Sequence, residues 1–286
     1  MLIRVLGSAA GGGFPQWNCA CANCRDVRAG DSRLAPRTQD SVAATGDGDG
    51  WILLNASPDI RQQLEASSEL HPRRGRDTPI RAIVLTNGDL DHVLGLFSLR
   101  ESTPLVIWAT EPVEAGVRGN TIWRTMERFP GQVTWRRLEL GREVEIGAGL
   151  HLTARALAGK LPIHLEGRAT PSAADNVGLW LRAGKRTAAY VPGARSTEGI
   201  DKSDVLLFDG TFFEADELAR QGLGQKRAEE MGHIPVAQSL TLRSAARRIY
   251  THINNSNPIL RKGSPERARA EAAGWEIAHD GLEIQL

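Results

Sequence analysis

The stretch Ile80-Arg81-Ala82-Ile83-Val84-Leu85-Thr86-Asn87-Gly88-Asp89-Leu90-Asp91-His92 decides the fold of this chain. Its first half is apolar and β-branched, follows Pro79, and reads as a buried strand that Gly88 then turns. An amide, two carboxylates and an imidazole follow at once, in Asn87, Asp89, Asp91 and His92. Groups at the end of a rigid strand are well placed for binding and chemistry.

Working outward, further apolar runs lie at Leu2–Leu6, Trp51–Leu54, Pro104–Trp108, Val177–Leu181, Thr187–Val191, Val205–Phe208 and Arg248–Ile253. Helical signals fall between them. Ser57-Pro58-Asp59 starts a helix toward Glu65, with serine as cap and proline in the first turn. Glu111–Arg128, Phe212–Leu223 and Ile234–Ala246 also read as helices. Ser264-Pro265-Glu266 opens a last helix that Gly274 stops. Trp275–Ile277 and Leu282–Leu286 are expected to close a hairpin across Asp280-Gly281. Leu70–Thr78 and Pro162–Asp175 read as surface loops.

With 286 residues, 41% of them hydrophobic, the chain can bury a full-sized core, and one domain over residues 1–286 is expected. The 35 basic and 34 acidic residues leave a net charge of +1, giving no reason to expect nucleic acid or an anionic membrane as partner. The opening residues are too short for a signal h-region, and no apolar run approaches the roughly 20 residues of a bilayer span. A cytoplasmic location is expected, with a homodimer left open.

The motif Thr86-Asn87-Gly88-Asp89-Leu90-Asp91-His92 resembles the T-H-x-H-x-D-H loop of the metallo-β-lactamase superfamily. That resemblance implies an α/β fold, an αββα sandwich of two mixed sheets flanked by helices. Asp91 and His92 keep the second half of the motif. Asn87 and Asp89 stand where two metal-binding histidines usually stand, so one metal ion is expected rather than two. Two further ligands follow from strand ends. Asp209 comes directly after Val205–Phe208, where the superfamily has its bridging carboxylate, and Gly210 beside it permits a tight turn. His252 ends a late strand, where the superfamily has its last ligand. Two histidines and a carboxylate with open positions suit non-haem Fe(II), although zinc would also accept them. Taken singly, each residue has a plainer reading: a loop ion pair, a helix cap, a satisfied core histidine. Asn87 is read as a loop cap, and Asp89 either as a backbone hydrogen-bonder or as a general base.

Cys19-Ala20-Cys21-Ala22-Asn23-Cys24 is a C-x-C-x-x-C cluster. Three thiolates at this spacing can wrap one structural Zn(II), with a fourth ligand from elsewhere. His233 and the Thr251–Asn257 segment are the candidates for it. The plainer reading is a reduced, unliganded loop, since a Cys19–Cys21 disulfide would be strained.

Longer strings make the resemblance more specific. Gly7–Cys21, Asn55–Arg61, Asp89–His92, Tyr190–Gly193, Phe208–Thr211, Met231–Ile234 and Thr251–Pro258 together resemble the coenzyme PQQ synthesis protein B family. The resemblance implies a role in making pyrroloquinoline quinone, as an iron-dependent oxygenase that hydroxylates the tyrosine ring of a cross-linked Glu-Tyr intermediate. Its implied partners are that small peptide-derived substrate, O₂ and the other enzymes of the pathway. The implied ligands are Asp91, His92, Asp209 and His252 for Fe(II), with Cys19, Cys21 and Cys24 for Zn(II). Asp89 or His233 would accept the phenol proton, and arginines such as Arg195 and Arg227 would clamp substrate carboxylates. Two rivals stand beside this reading: a carrier that helps finished PQQ leave the cytoplasm, and a mononuclear, phosphodiesterase-like hydrolase using metal-bound hydroxide.

Overall fold

The computed structural model describes residues 1–101 and 103–286. Among these residues, fourteen strands form two seven-stranded sheets. The first contains β1 (Leu2–Gly7), β2 (Ser41–Thr45), β3 (Trp51–Leu54), β4 (Ile80–Val84), β5 (Leu105–Ala109) and β6 (Val133–Arg137). The second contains β7 (Glu143–Gly147), β8 (Leu150–Ala156), β9 (Val177–Ala183), β10 (Arg186–Val191), β11 (Ser203–Asp209), β12 (Ala245–Thr251) and β13 (Trp275–Ile277). The last strand, β14 (Glu283–Gln285), returns to the first sheet and gives the order β14-β1-β2-β3-β4-β5-β6. The second sheet runs β13-β12-β11-β10-β9-β8-β7.

Each sheet is antiparallel on one side and parallel on the other. The parallel pairs are β3–β4, β4–β5 and β5–β6 in one, and β10–β11, β11–β12 and β12–β13 in the other. Between the sheets lies an apolar layer that includes Val5, Leu54, Val84, Leu152, Leu179 and Leu207, all fully or almost fully buried. Each such side chain contributes about 2 kcal/mol by leaving water. Helices cover the outer faces. These are α1 (Ala22–Arg28), α2 (Ile60–Glu65), α3 (Leu90–Val93), α4 (Glu111–Arg118), α5 (Glu217–Arg220), α6 (Val236–Ser239) and α7 (Pro265–Ala272). Val113, Val117 and Trp123 pack on one outer face, and Val236, Ile259 and Ala270 on the other. The αββα sandwich is therefore as expected from the sequence.

Several expectations are corrected. The closing hairpin does not form: β13 lies parallel to β12, whereas β14 lies antiparallel to β1, in the other sheet. Asp280 is the reason, because its carboxylate accepts from the backbone N–H and hydroxyl of both Ser8 and Thr38 and pins the crossing between sheets. The Glu111–Arg128 helix stops at Arg118, and Asn120 caps a new 3₁₀ turn over Thr121–Thr125. Phe212–Leu223 is helical only over Glu217–Arg220, since Phe212 and Phe213 are buried in the core and Gly222 takes a positive φ. Ile234–Ala246 yields one turn at Val236–Ser239 before β12 begins. Ser57 does not cap α2; its hydroxyl donates to Gln63, and Asp59 occupies the cap position. Ser264 does cap α7, accepting from the Arg267 N–H.

Candidate metal centre

Parallel strands put their carboxyl ends on one edge, and open sites form at such ends. Here β3 and β4 from one sheet meet β10, β11 and β12 from the other. After β4 comes Asn87–His92; after β11, Thr211; after β12, His252. Asp209 is the last residue of β11 itself. His252 has φ +54°, a left-handed conformation unfavourable for a residue with Cβ. Strain of this kind persists where the surrounding structure holds it, and it gathers at functional sites.

Two groups of potential ligands share His252. Asp91, His92 and His252 form one, and Asp209, His233 and His252 the other, with the ligand atoms of each group within 4.8 Å of one another. The three imidazoles are oriented alike. His92 Nδ1 donates to Asn87 Oδ1 at 2.8 Å. His233 Nδ1 donates to Asp209 Oδ2 at 2.7 Å. His252 Nδ1 donates to Thr211 Oγ1 at 2.9 Å, and that hydroxyl in turn donates to Asp209 Oδ1 at 2.7 Å. Anchoring Nδ1 to an oxygen sets the tautomer and leaves Nε2 as the ligand atom. His92 Nε2 is buried with no hydrogen-bond partner and stands 3.8 Å from Asp91 Oδ2. His252 Nε2 reaches the same oxygen at 3.2 Å. A buried ring nitrogen without a partner is costly unless a ligand satisfies it, so this donor set fits a metal ion.

The charges of these groups act strongly on one another. Burial opposes the Asp91 charge, but the neighbouring His92 and His252 hold its carboxyl well below the usual range. Burial likewise lowers His252, yet its hydrogen bond to Asp91 and the charges of Asp91, Asp40 and Asp209 outweigh that and raise it to about 9. His92 is lowered, chiefly by burial.

Of the residues singled out in the sequence, Asp91, His92 and His252 converge directly. Asp209 is fully buried, and both its oxygens are engaged, by Thr211, the Ala194 N–H and His233. Gly210 beside it has no positive φ; a Cβ there would stand 2.9 Å from Thr251 O and from Tyr250 Cβ, so close approach rather than a turn requires the glycine. Asn87 goes beyond capping the loop through the Asp89 N–H, since the same oxygen holds His92. Asp89 heads α3, near enough for its charge to act on His92. Arg195 is committed to the carbonyl oxygens of Glu229 and Gly159, which leaves it ill placed to clamp a substrate, and Arg227 lies 3.8 Å from Glu229. Sequence reading missed Thr211 and Asn176. Thr211 ties three of these side chains together, and Asn176 accepts from Asn87 while donating to Gly193 O. Neither residue type signals a metal site by itself.

The cysteines are free thiols, with their sulfurs within 4.8 Å of one another. Burial pushes the Cys24 thiol up to about 12. His233 belongs with Asp209 and His252 and is not in the cysteine group. From the Thr251–Asn257 segment it is Asn255 that reaches the cluster, its amide 3.1 Å from Cys19 Sγ, 3.6 Å from Cys21 Sγ and 3.4 Å from Cys24 Sγ.

Residues 50–253 match the model of the beta-lactamase superfamily domain. Coenzyme PQQ synthesis protein B of Methylorubrum extorquens (strain PA1) is 45% identical over 302 residues, with all of both chains covered. The crystal structure of Zn(2+)-bound PqqB from Methylobacterium extorquens superposes with a TM-score of 0.94 at 44% identity, again over both whole chains. A diphosphatase of the PhnP family shares the fold alone, with a TM-score of 0.71 at 22% identity over 99% of this chain and 96% of its own. This chain belongs to the coenzyme PQQ synthesis protein B family, within the beta-lactamase superfamily.

Proposed function

We propose that this protein acts in the biosynthesis of pyrroloquinoline quinone as a mononuclear non-haem iron oxygenase, hydroxylating the tyrosine ring of the cross-linked Glu-Tyr intermediate. The observation that carries this reading is His92 Nε2, buried and unpartnered beside Asp91, with its Nδ1 tied to Asn87. Two imidazoles and one carboxylate with open sides form the donor set of non-haem Fe(II) oxygenases. With Asn87 and Asp89 in place of histidines, the two histidine donors that the superfamily motif supplies to a second ion are missing, and in the other group Asp209 is taken up by His233 and Thr211. Family membership supports the pathway.

Asp91, His92 and His252 would hold the ion, and Fe(II) there supplies oxygen activation, which Zn²⁺ lacks. The residues around it position and protonate. Asn87 and Thr211 fix the rings of His92 and His252. Asp209 fixes His233, whose Nε2 takes the phenol proton, a proton with a solution pKa of about 10. Asp89, at the head of α3, is the other acceptor. Zn²⁺ in the second site would be held by Cys19, Cys21 and Cys24, with the Asn255 amide N–H groups donating to their sulfurs.

Oxygen uptake tests the reading. Iron-loaded protein with a reductant should consume O₂ only when a tyrosine-containing substrate of this kind is added, and zinc-loaded protein should consume none. Ester hydrolysis without oxygen uptake would favour a hydrolase, and PQQ binding without uptake a carrier.

A further inference from the structure

A cavity of about 350 Å³ flanks the metal centre on the side facing the cysteine loop. Its size is at the lower end of the range for small-molecule sites. Phe212, Leu218, Leu223 and Met231 supply its apolar lining, and the amides of Gln16, Asn18, Asn254 and Asn255 much of its polar lining. Among the described residues none of its walls is a lysine, arginine, aspartate or glutamate. Two lining residues reach candidate ligands. Phe212 lies edge-on to His233 with ring centroids 6.1 Å apart. Gly11 packs against Asp91, where a Cβ would stand 3.2 Å from Asp91 Oδ2, so one backbone segment separates the cavity from that carboxylate. Between Gln16 and Asn18 sits Trp17, 86% exposed, the most exposed of the large hydrophobic side chains. An indole left in water between two residues that line the cavity is a poor arrangement for the free protein and a good one for stacking on a flat ligand.

We propose that this cavity is the seat of the substrate's aromatic ring, with Trp17 stacking over it and the Gln16 and Asn18 amides meeting its hydroxyl. A neutral phenol matches the uncharged walls, whereas a carboxylate finds no cation there. The assignment of the ring as the reacting one rests on the oxygenase reading. Binding is therefore measured without turnover, so that either idea can fail alone.

The experiment is saturation-transfer NMR on zinc-loaded protein with 4-methylphenol as probe and cyclohexanol as the non-aromatic control. The ring protons of 4-methylphenol should receive saturation, and cyclohexanol should not. Leu223→Trp fills the cavity from its half-exposed wall and should abolish transfer. Trp17→Ala should weaken binding by about three- to tenfold, the range expected for one stacked ring. Melting curves matching the parent would show that both variants fold. Unchanged transfer in Leu223→Trp, or equal transfer to cyclohexanol, would overturn the assignment. Transfer that follows this pattern in a protein that never incorporates oxygen would leave the ring seat standing and remove the oxygenase.

Discussion

At the scale of single residues, the centre depends on what holds each ring as much as on the ring itself. Asn87 occupies a position where a histidine would bind a second ion and instead accepts from His92. Removing the acceptor frees the ring to turn or change tautomer, so Asn87→Ala should weaken Fe(II) binding by about 10- to 100-fold, read by chelator competition. An unchanged affinity would show that Asn87 does not position His92. Alanine at Asp91, His92 or His252 should abolish iron binding while zinc stays at the cysteines, as metal analysis would reveal. Cys21→Ser should lower both zinc content and melting temperature, because metal binding at such a site is folding free energy. The sandwich core, at about 2 kcal/mol for each buried aliphatic side chain, should still keep that variant folded. Full zinc content in Cys21→Ser would exclude the cysteine site.

At the scale of elements, strands were more legible than helices. Ala82–Leu85, Trp51–Leu54 and Val205–Phe208 announce themselves as continuous apolar runs because central strands are covered on both faces. β2, built as Ser-Val-Ala-Ala-Thr, has no bulky run to reveal it, and β8 shows only alternation, with Leu150, Leu152 and Ala154 facing inward. The short helices were overread because local propensity is a weak prior beside tertiary packing. α5 illustrates the point: a buried Glu217 holds it, accepting from Ser256 Oγ and from the Phe213 N–H at 2.7 Å. Burial raises that carboxyl from 4.5 to about 7. The folded state thus keeps a proton that the unfolded chain releases, and stability falls as pH rises from about 4.5 to about 7, then levels off. The loss amounts to at most about 3 kcal/mol. Denaturant titrations across this window should show the slope in the parent and a flatter line in Glu217→Gln. Parallel slopes would mean that Glu217 is ionised in the fold.

At the scale of the whole molecule, the centre exists only because two sheets meet. Nothing in the order of the chain announces that residues 91 and 252 touch; only the superfamily resemblance made their pairing readable. Beneath them a polar chain spans the sandwich. Tyr190 donates to Asp40, Thr251 donates to the other oxygen of Asp40 at 2.6 Å, and Asn55 links Tyr190 to Thr86 and hence to His92. Asp40 is fully buried, so Tyr190→Phe should cost about 1–3 kcal/mol in denaturant unfolding by leaving a carboxylate short of a donor. The oxygen transfer proposed at Asp91, His92 and His252 is tested most directly by mass spectrometry under ¹⁸O₂. Iron-loaded protein, given the cross-linked Glu-Tyr substrate and a reductant, should place ¹⁸O on the tyrosine ring, and the zinc-loaded protein should place none. Product without ¹⁸O under iron, or equal labelling under zinc, would contradict it.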